Sequence, residues 1–164
     1  MGLDHGIYIK KKGRGNKEKE YIATFRKCNQ IHNWFLTKKN LDPDSFNGDN
    51  GEVKVSYEDL LELYSTVDAV IQKTKLRPGL VVNGCKFVNL FKKTFKVKLY
   101  GLGKKIANPG VAKKLLPTKE GFFWGSCDYD LIYLDQLTWA KEELAKVLEI
   151  MEDGEHNAFY WCWW

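Results

Sequence analysis

No apolar run in this chain approaches the roughly 18 residues that a membrane-spanning helix requires, and no signal-peptide pattern opens it, so a cytosolic protein without a membrane partner is expected. Cysteine is scarce and scattered. Cys28, Cys85, Cys127 and Cys162 form no Cys-x-x-Cys pair, which speaks against a zinc knuckle or redox dithiol and for reduced thiols. The three histidines, His5, His32 and His156, complete no metal-ligand spacing. A P-loop, a catalytic triad motif and paired catalytic carboxylates are all missing, so a non-catalytic protein without cofactor or metal is expected.

The sharpest shortage is local. From Lys75 to Lys119 there are twelve Lys and Arg and not one carboxylate, whereas Glu120 to Trp164 holds ten acids and only Lys141 and Lys146. The net charge of +5 therefore conceals a basic segment followed by an acidic one. A segment so depleted in carboxylates is a solvated surface, a surface that docks on the acidic C-terminal helix, or a surface that faces phosphates.

What is present describes a globular chain. With 164 residues, 44% of them hydrophobic, one domain over residues 1–164 can bury a core without staples. Aromatic content is 14%, including six Trp, more than a core alone requires. Leu3 to Lys10 reads as a strand, followed by the basic, glycine-bearing loop Lys10 to Lys19 and a strand from Glu20 to Thr24. After a turn-rich loop comes a short strand at Val53 to Val55. Ser56 then caps a helix, with Asp59 in the capping-box position and Leu60, Leu61, Tyr64, Val67, Val70 and Ile71 as its apolar stripe. Residues 76–110 read as an inserted basic β-hairpin with a type I′ turn at Asn83-Gly84, suited to an oligomer contact or a lid. Pro109 opens a short helix that Pro117 ends, Gly121 to Ser126 reads as a strand, and Thr138 caps a long helix to Glu152 with Trp139, Leu144, Val147, Leu148 and Met151 buried. Ala158 to Trp164 alternates aromatics as a terminal strand. The class expected is α+β: a small mixed or antiparallel sheet covered by about three helices.

Two stretches concentrate polar chemistry. Phe25 to Phe35, read as part of a helix from Phe25 to Thr37, sets Phe25, Cys28, His32, Phe35 and Leu36 on one arc with Asn29 at its edge. Arg26, Lys27, Gln30, Asn33 and Trp34 take the other arc. Asn29 and His32 are then either core polar groups met by neighbouring backbone or groups aimed into a pocket with Arg26 and Trp34 near its rim. The second stretch is the corner after Gly125. Ser126 and Thr118 offer hydroxyls there, Lys119 a cation, and Trp124 and Tyr129 faces for a base. Capping and packing account for the same residues. Asp128 and Asp130 lack further metal ligands, and Cys127 with His32 forms no known nucleophile motif.

The set Met-Gly-Leu-Asp at 1–4, Arg-Lys-Cys-Asn-Gln-Ile-His-Asn-Trp-Phe at 26–35 and Val-Ser-Tyr-Glu-Asp-Leu at 55–60 resembles a widespread family of small phage-borne proteins. Leu-Leu-Pro-Thr at 115–118, Gly-Phe-Phe-Trp-Gly-Ser at 121–126, Asp-Tyr-Asp at 128–130 and an aromatic C-terminus complete the resemblance, which leaves out about 35 residues before Ala112. His5 stands where that family usually has Met, and Cys28 where it has Ala. What the resemblance implies is an anti-CBASS type sponge in the cytoplasm of an infected bacterial host, one that binds and sequesters a cyclic oligonucleotide immune signal. Such a dianionic ligand needs cations or N–H groups for phosphate, slots for bases and polar groups for base edges. Arg26, Asn29, His32, Trp34, Thr118, Lys119, Trp124, Ser126 and Tyr129 supply those types. The other readings are a nucleic-acid-binding protein that uses the basic 75–119 segment, and a protein-only inhibitor of a host factor. A homo-oligomer is compatible with each.

Overall fold

Alternation sets the sheet. In β1 (Asp4–Lys11), His5, Ile7 and Ile9 point one way, and in β6 (His156–Trp163) Ala158, Tyr160 and Cys162 do the same, opposite them across the antiparallel register. The computed structural model describes residues 2–13, 18–90, 92–121 and 123–164. β2 (Glu20–Arg26) pairs with β1 and β3 (Glu52–Val55) with β6, so the four-stranded sheet runs β2-β1-β6-β3 with every pairing antiparallel. The inner face joins one core with α1 (Asn29–Lys38), α2 (Tyr57–Lys73) and α4 (Leu131–Met151). A shorter helix, α3 (Gly110–Leu115), starts at Pro109 and ends before Pro117 as its prolines dictate. This is the expected α+β architecture, and its helices are too short or too polar to cross a membrane among the described residues.

The basic insertion is a hairpin of its own, β4 (Leu76–Leu90) with β5 (Lys93–Ile106), forming a separate two-stranded sheet. The Asn83-Gly84 pair is not its turn. The register shifts between Val82 and Cys85 and Gly84 sits at φ 129, so the pair forms a bulge within a strand that continues to Leu90. Glycine supplies the left-handed geometry that a bulge needs as readily as a turn.

Ser56 and Asp59 form the expected capping box: Asp59 N–H donates to Ser56 Oγ at 3.1 Å and Ser56 N–H to the Asp59 carboxylate at 2.9 Å. On α2 the buried stripe is Leu60, Leu63, Val67 and Val70. Leu61 is exposed, and Tyr64 and Ile71 are half-buried. Three expectations near the other helices are corrected. Helix α1 begins at Asn29, because Phe25 and Arg26 alternate as the end of β2 and Lys27 turns the chain at φ 55. Residues 121 and 123–126 are irregular rather than a strand, with Phe123 at φ 61 and Gly125 at φ 105; residue 122 lies outside the described residues. Thr138 lies inside α4, where its hydroxyl donates to the Leu134 carbonyl at 3.0 Å. The cap is Asp130, whose carboxylate accepts Tyr133 N–H at 3.2 Å. On α4, Leu144, Val147 and Leu148 are buried, Met151 is half-buried and Trp139 is exposed.

Candidate functional site

Helix α1 and the loop from Pro117 to Tyr129 close on each other through Asn29. Its side-chain amide donates to the carbonyls of Ser126 at 2.8 Å and Trp124 at 3.4 Å, and its Oδ1 accepts Lys119 N–H at 3.1 Å. One turn on, Asn33 donates to the Pro117 carbonyl at 3.0 Å. Within the loop the Thr118 hydroxyl donates to the Cys127 carbonyl at 3.2 Å, and Thr118 N–H donates to the Tyr129 oxygen at 3.1 Å. The Ser126 hydroxyl donates to Asp128 at 2.9 Å and accepts Asp128 N–H at 3.1 Å. Gly125 is required here, since a Cβ would fall 2.6 Å from the Lys27 carbonyl. Asn29, His32, Thr118, Lys119, Trp124, Ser126 and Tyr129 are thus brought together; the polar side-chain atoms of Asn29, Thr118 and Ser126 are spent within the clasp, whereas His32 Nε2 and Trp124 Nε1 are buried without a hydrogen-bond partner. Burial raises the pKa of the half-buried Cys127 thiol, with Glu120 adding to the effect, opposite to what a nucleophile needs.

Behind this clasp lies a buried hydrogen-bond chain. The Tyr160 hydroxyl meets His32 Nδ1 at 2.6 Å and His5 Nδ1 at 3.0 Å. One hydroxyl carries one proton, so it donates to one ring and accepts from the other, and the two histidines hold opposite tautomers. Trp124 stands edge-on to His32 with centroids 4.6 Å apart. Burial, helped by the nearby Lys119 charge, pushes the His32 pKa down to about 4; burial and His32 itself hold that of His5 well below the ordinary range. Both imidazoles are neutral core groups. Gln30, placed by the helical projection on the polar arc, is also buried, its amide donating to Gln136 at 3.1 Å. The projection missed it because α1 is covered on that side too.

Arg26 and Trp34 lie apart from the clasp. Trp34 is half-buried against Phe35, with the Lys38 ammonium 5.8 Å from its ring centre. Arg26 projects from β2 on the outer face of the sheet and pairs with Asp4 at 3.2 Å.

That outer face holds a second set of residues. Across β2, β1 and β6 the register aligns Arg26, Asp4 and Trp163 in one row. In the next, Thr24 and Gly6 face Trp161, with Glu52 of β3 beyond; in the third, Tyr21, Tyr8 and Phe159 lead to Lys54. Tyr8 stacks on Phe159 at 5.1 Å and 10°, while Tyr21 stands edge-on to Trp161 at 5.6 Å. Lys10 and Lys19 bring ammonium groups within 5.3 Å of these rings, and Glu52 accepts the Tyr8 hydroxyl at 2.9 Å and pairs with Lys19. Tyr21 and Trp163 keep 56% and 60% of their surface exposed, Phe159 and Trp161 are half-buried, and Tyr8 is buried beneath its neighbours, so the face is open to solvent chiefly at Tyr21 and Trp163. A depression of about 340 Å³ sinks into it between Lys19, Tyr21, Glu52, Trp161 and Trp163, with Gly48 and Asp49 at one wall.

Comparison with protein-family models, curated proteins and solved structures finds no match. Two other openings flank the molecule. One, of about 170 Å³, lies between the hairpin and Asp128 to Asp130; the other, about 400 Å³ with largely apolar walls, runs past Arg26 and Trp139. The sequence signal for the outer face was the alternation of Phe159, Trp161 and Trp163. The signal for its other half, Tyr8 and Tyr21, emerged only once the strands were paired. Of the glycine-bearing loop before Glu20, residues 14–17 lie outside the described residues.

Proposed function

We propose that this protein is a non-catalytic binder of a phosphorylated nucleotide ligand, held on the outer face of the sheet. A cyclic oligonucleotide signal of antiphage defence, implied by the resemblance, is the sharpest candidate ligand. The observation that carries the reading is the set of accessible rings Tyr21, Phe159, Trp161 and Trp163, backed by the buried Tyr8, with Lys10, Lys19, Lys54 and Arg26 among them. Every base presents a π-face, and stacking on an aromatic side chain is worth about 1–3 kcal/mol per base. Cations beside the rings supply the phosphate partners, and the Asp49 and Glu52 carboxylates offer acceptors for base-edge N–H groups. The depression's volume of about 340 Å³ falls within the range of small-ligand pockets.

Thermal-shift screening against cyclic di- and trinucleotides, mononucleotides and short oligonucleotides should identify a ligand that chromatography recovers unchanged after heat release. A released product in catalytic excess would overturn the non-catalytic reading. Against that ligand, Trp161→Ala should weaken affinity by about 1–3 kcal/mol. Arg26→Ala should weaken it about 10- to 100-fold, the loss of one charged hydrogen bond. Its fold should lose under about 1 kcal/mol, because the Arg26–Asp4 pair is exposed. Titration and melting temperature on both variants check this; unchanged affinity in both would remove the ligand from the sheet.

A further inference from the structure

The hairpin β4–β5 is a structure without a cover. Its strands pair from Leu76–Ile106 to Leu90–Lys93, so at about 3.4 Å per residue the ribbon is roughly 45 Å long. Backbone hydrogen bonds fasten it at its base: Ile106 is buried and its N–H donates to the Tyr129 carbonyl at 3.0 Å, while Ala107 N–H reaches Lys75 O at 2.8 Å. Beyond that, Phe87, Tyr100 and Leu102 are 70%, 63% and 91% exposed. A two-stranded ribbon is marginal in water on its own, and exposed apolar side chains beside two unpaired strand edges call for a partner.

Charge selects that partner. The span from Leu76 to Ile106 holds eight Lys and Arg and no acid. Among the described residues its one ion pair is Lys98 with Asp128 at 3.7 Å, so the acidic C-terminal third of the same chain leaves most of these cations uncompensated. Two such ribbons would repel each other. Helix α4 presents the complement: Asp135, Glu142 and Glu149, seven residues apart, form one exposed acidic stripe. Exposed Ile132 and Trp139 add apolar surface to the same helix. Twenty-one residues make α4 about 31 Å long, a span the ribbon can cover.

We propose that the hairpin of one copy lies along the acidic stripe of α4 in a second copy, the exchange being reciprocal in a two-fold dimer. Register places Lys96, Lys104, Phe87, Tyr100 and Leu102 on one ribbon face, which combines the cations and the apolar groups such a contact needs. Bare phosphate backbone would meet the cations and leave the apolar groups wet, which is why the protein surface is the better fit.

Sedimentation of the wild-type chain should show a dimer that dissociates as salt rises. The double variant Lys96→Glu/Lys104→Glu and the double variant Glu142→Lys/Glu149→Lys should each weaken the dimer by at least about tenfold, the effect of like-charge contacts. Their equimolar mixture should regain it, because one reversed hairpin then meets one reversed helix. A wild-type chain that stays monomeric at low salt overturns the proposal. So does a dimer that survives Lys96→Glu/Lys104→Glu, or a mixture that fails to recover while both variants keep the wild-type circular dichroism. A monomer whose hairpin variant loses affinity for random duplex DNA would assign the ribbon to nucleic acid instead. If either variant does not fold, salt-dependent dissociation of the wild-type dimer, absent in Phe87→Ser/Leu102→Ser because no dimer forms, carries the test.

Discussion

Replacing Asn29 by Ala should destabilise the protein by about 3 kcal/mol while leaving nucleotide affinity at the sheet face unchanged. Asn29 is fully buried and serves two carbonyls and one N–H of the Lys119–Ser126 loop. An orphaned buried polar group costs about 1–3 kcal/mol, and three that share one loop relax together rather than adding in full. Asn29→Asp is the informative companion. Its carboxylate can still accept Lys119 N–H but cannot donate to the two carbonyls, so it should be no better than Ala. Denaturant midpoints measure the loss, and titration of the folded variants separates clasp from ligand site. A stable Asn29→Ala protein that has lost its ligand would return the site to the clasp, where the sequence first suggested it.

Acid should cost the fold stability before its carboxylates titrate. His32 is held at a pKa of about 4, against an ordinary 6.5, and that of His5 is depressed in the same direction. In each case the unfolded chain binds the proton that the folded chain refuses, so stability falls as pH falls. The histidine contribution is complete above pH 6.5, declines below it, and is gone once pH passes through about 4. For His32 alone the shift corresponds to about 3 kcal/mol. Lowered carboxylate pKa values at Asp59, Asp68 and Glu52 continue the decline at more acidic pH, where their partners Lys39, Lys141 and Lys19 lose them. Urea midpoints measured at about pH 7, 5.5 and 4.5 should drop along this limb. His5→Met, which removes one of the two imidazoles, should flatten it; an identical slope would mean that the imidazoles are not the groups protonated.

Much of the fold is local and was therefore legible. The capping box at Ser56 needs only a Ser and an acid three residues apart, and the prolines at 109 and 117 bracket α3 without help from elsewhere. Alternation in Phe159 to Trp163 announced a strand with one aromatic face, and the acid-free stretch announced a basic ribbon. Errors arose where two periods overlap. Phe25 fits both the helical arc and the strand alternation, and only pairing of Arg26 with Asp4 across β1 decides for the strand. Asn-Gly fits turn and bulge alike, and the length of the opposing strand decides for the bulge.

The nature of the polar site was decided by tertiary structure. Residue types alone put Asn29, His32, Ser126 and Tyr129 forward as ligand groups, because a buried amide looks the same in sequence whether its partner is a base edge or a carbonyl 97 residues away. The sequence by itself determined the capped helix α2, the proline-bracketed α3, most of the sheet strands and where charge is segregated, but not the boundary between β2 and α1 or the irregular course after Gly121. Hydrogen-bond partners distant in the chain, and the register that aligns Tyr21 and Tyr8 with Phe159, belong to the packed structure. Periodicity is a property of neighbours along the chain, whereas a polar group's satisfaction and a surface's openness depend on what the other segments bring to it.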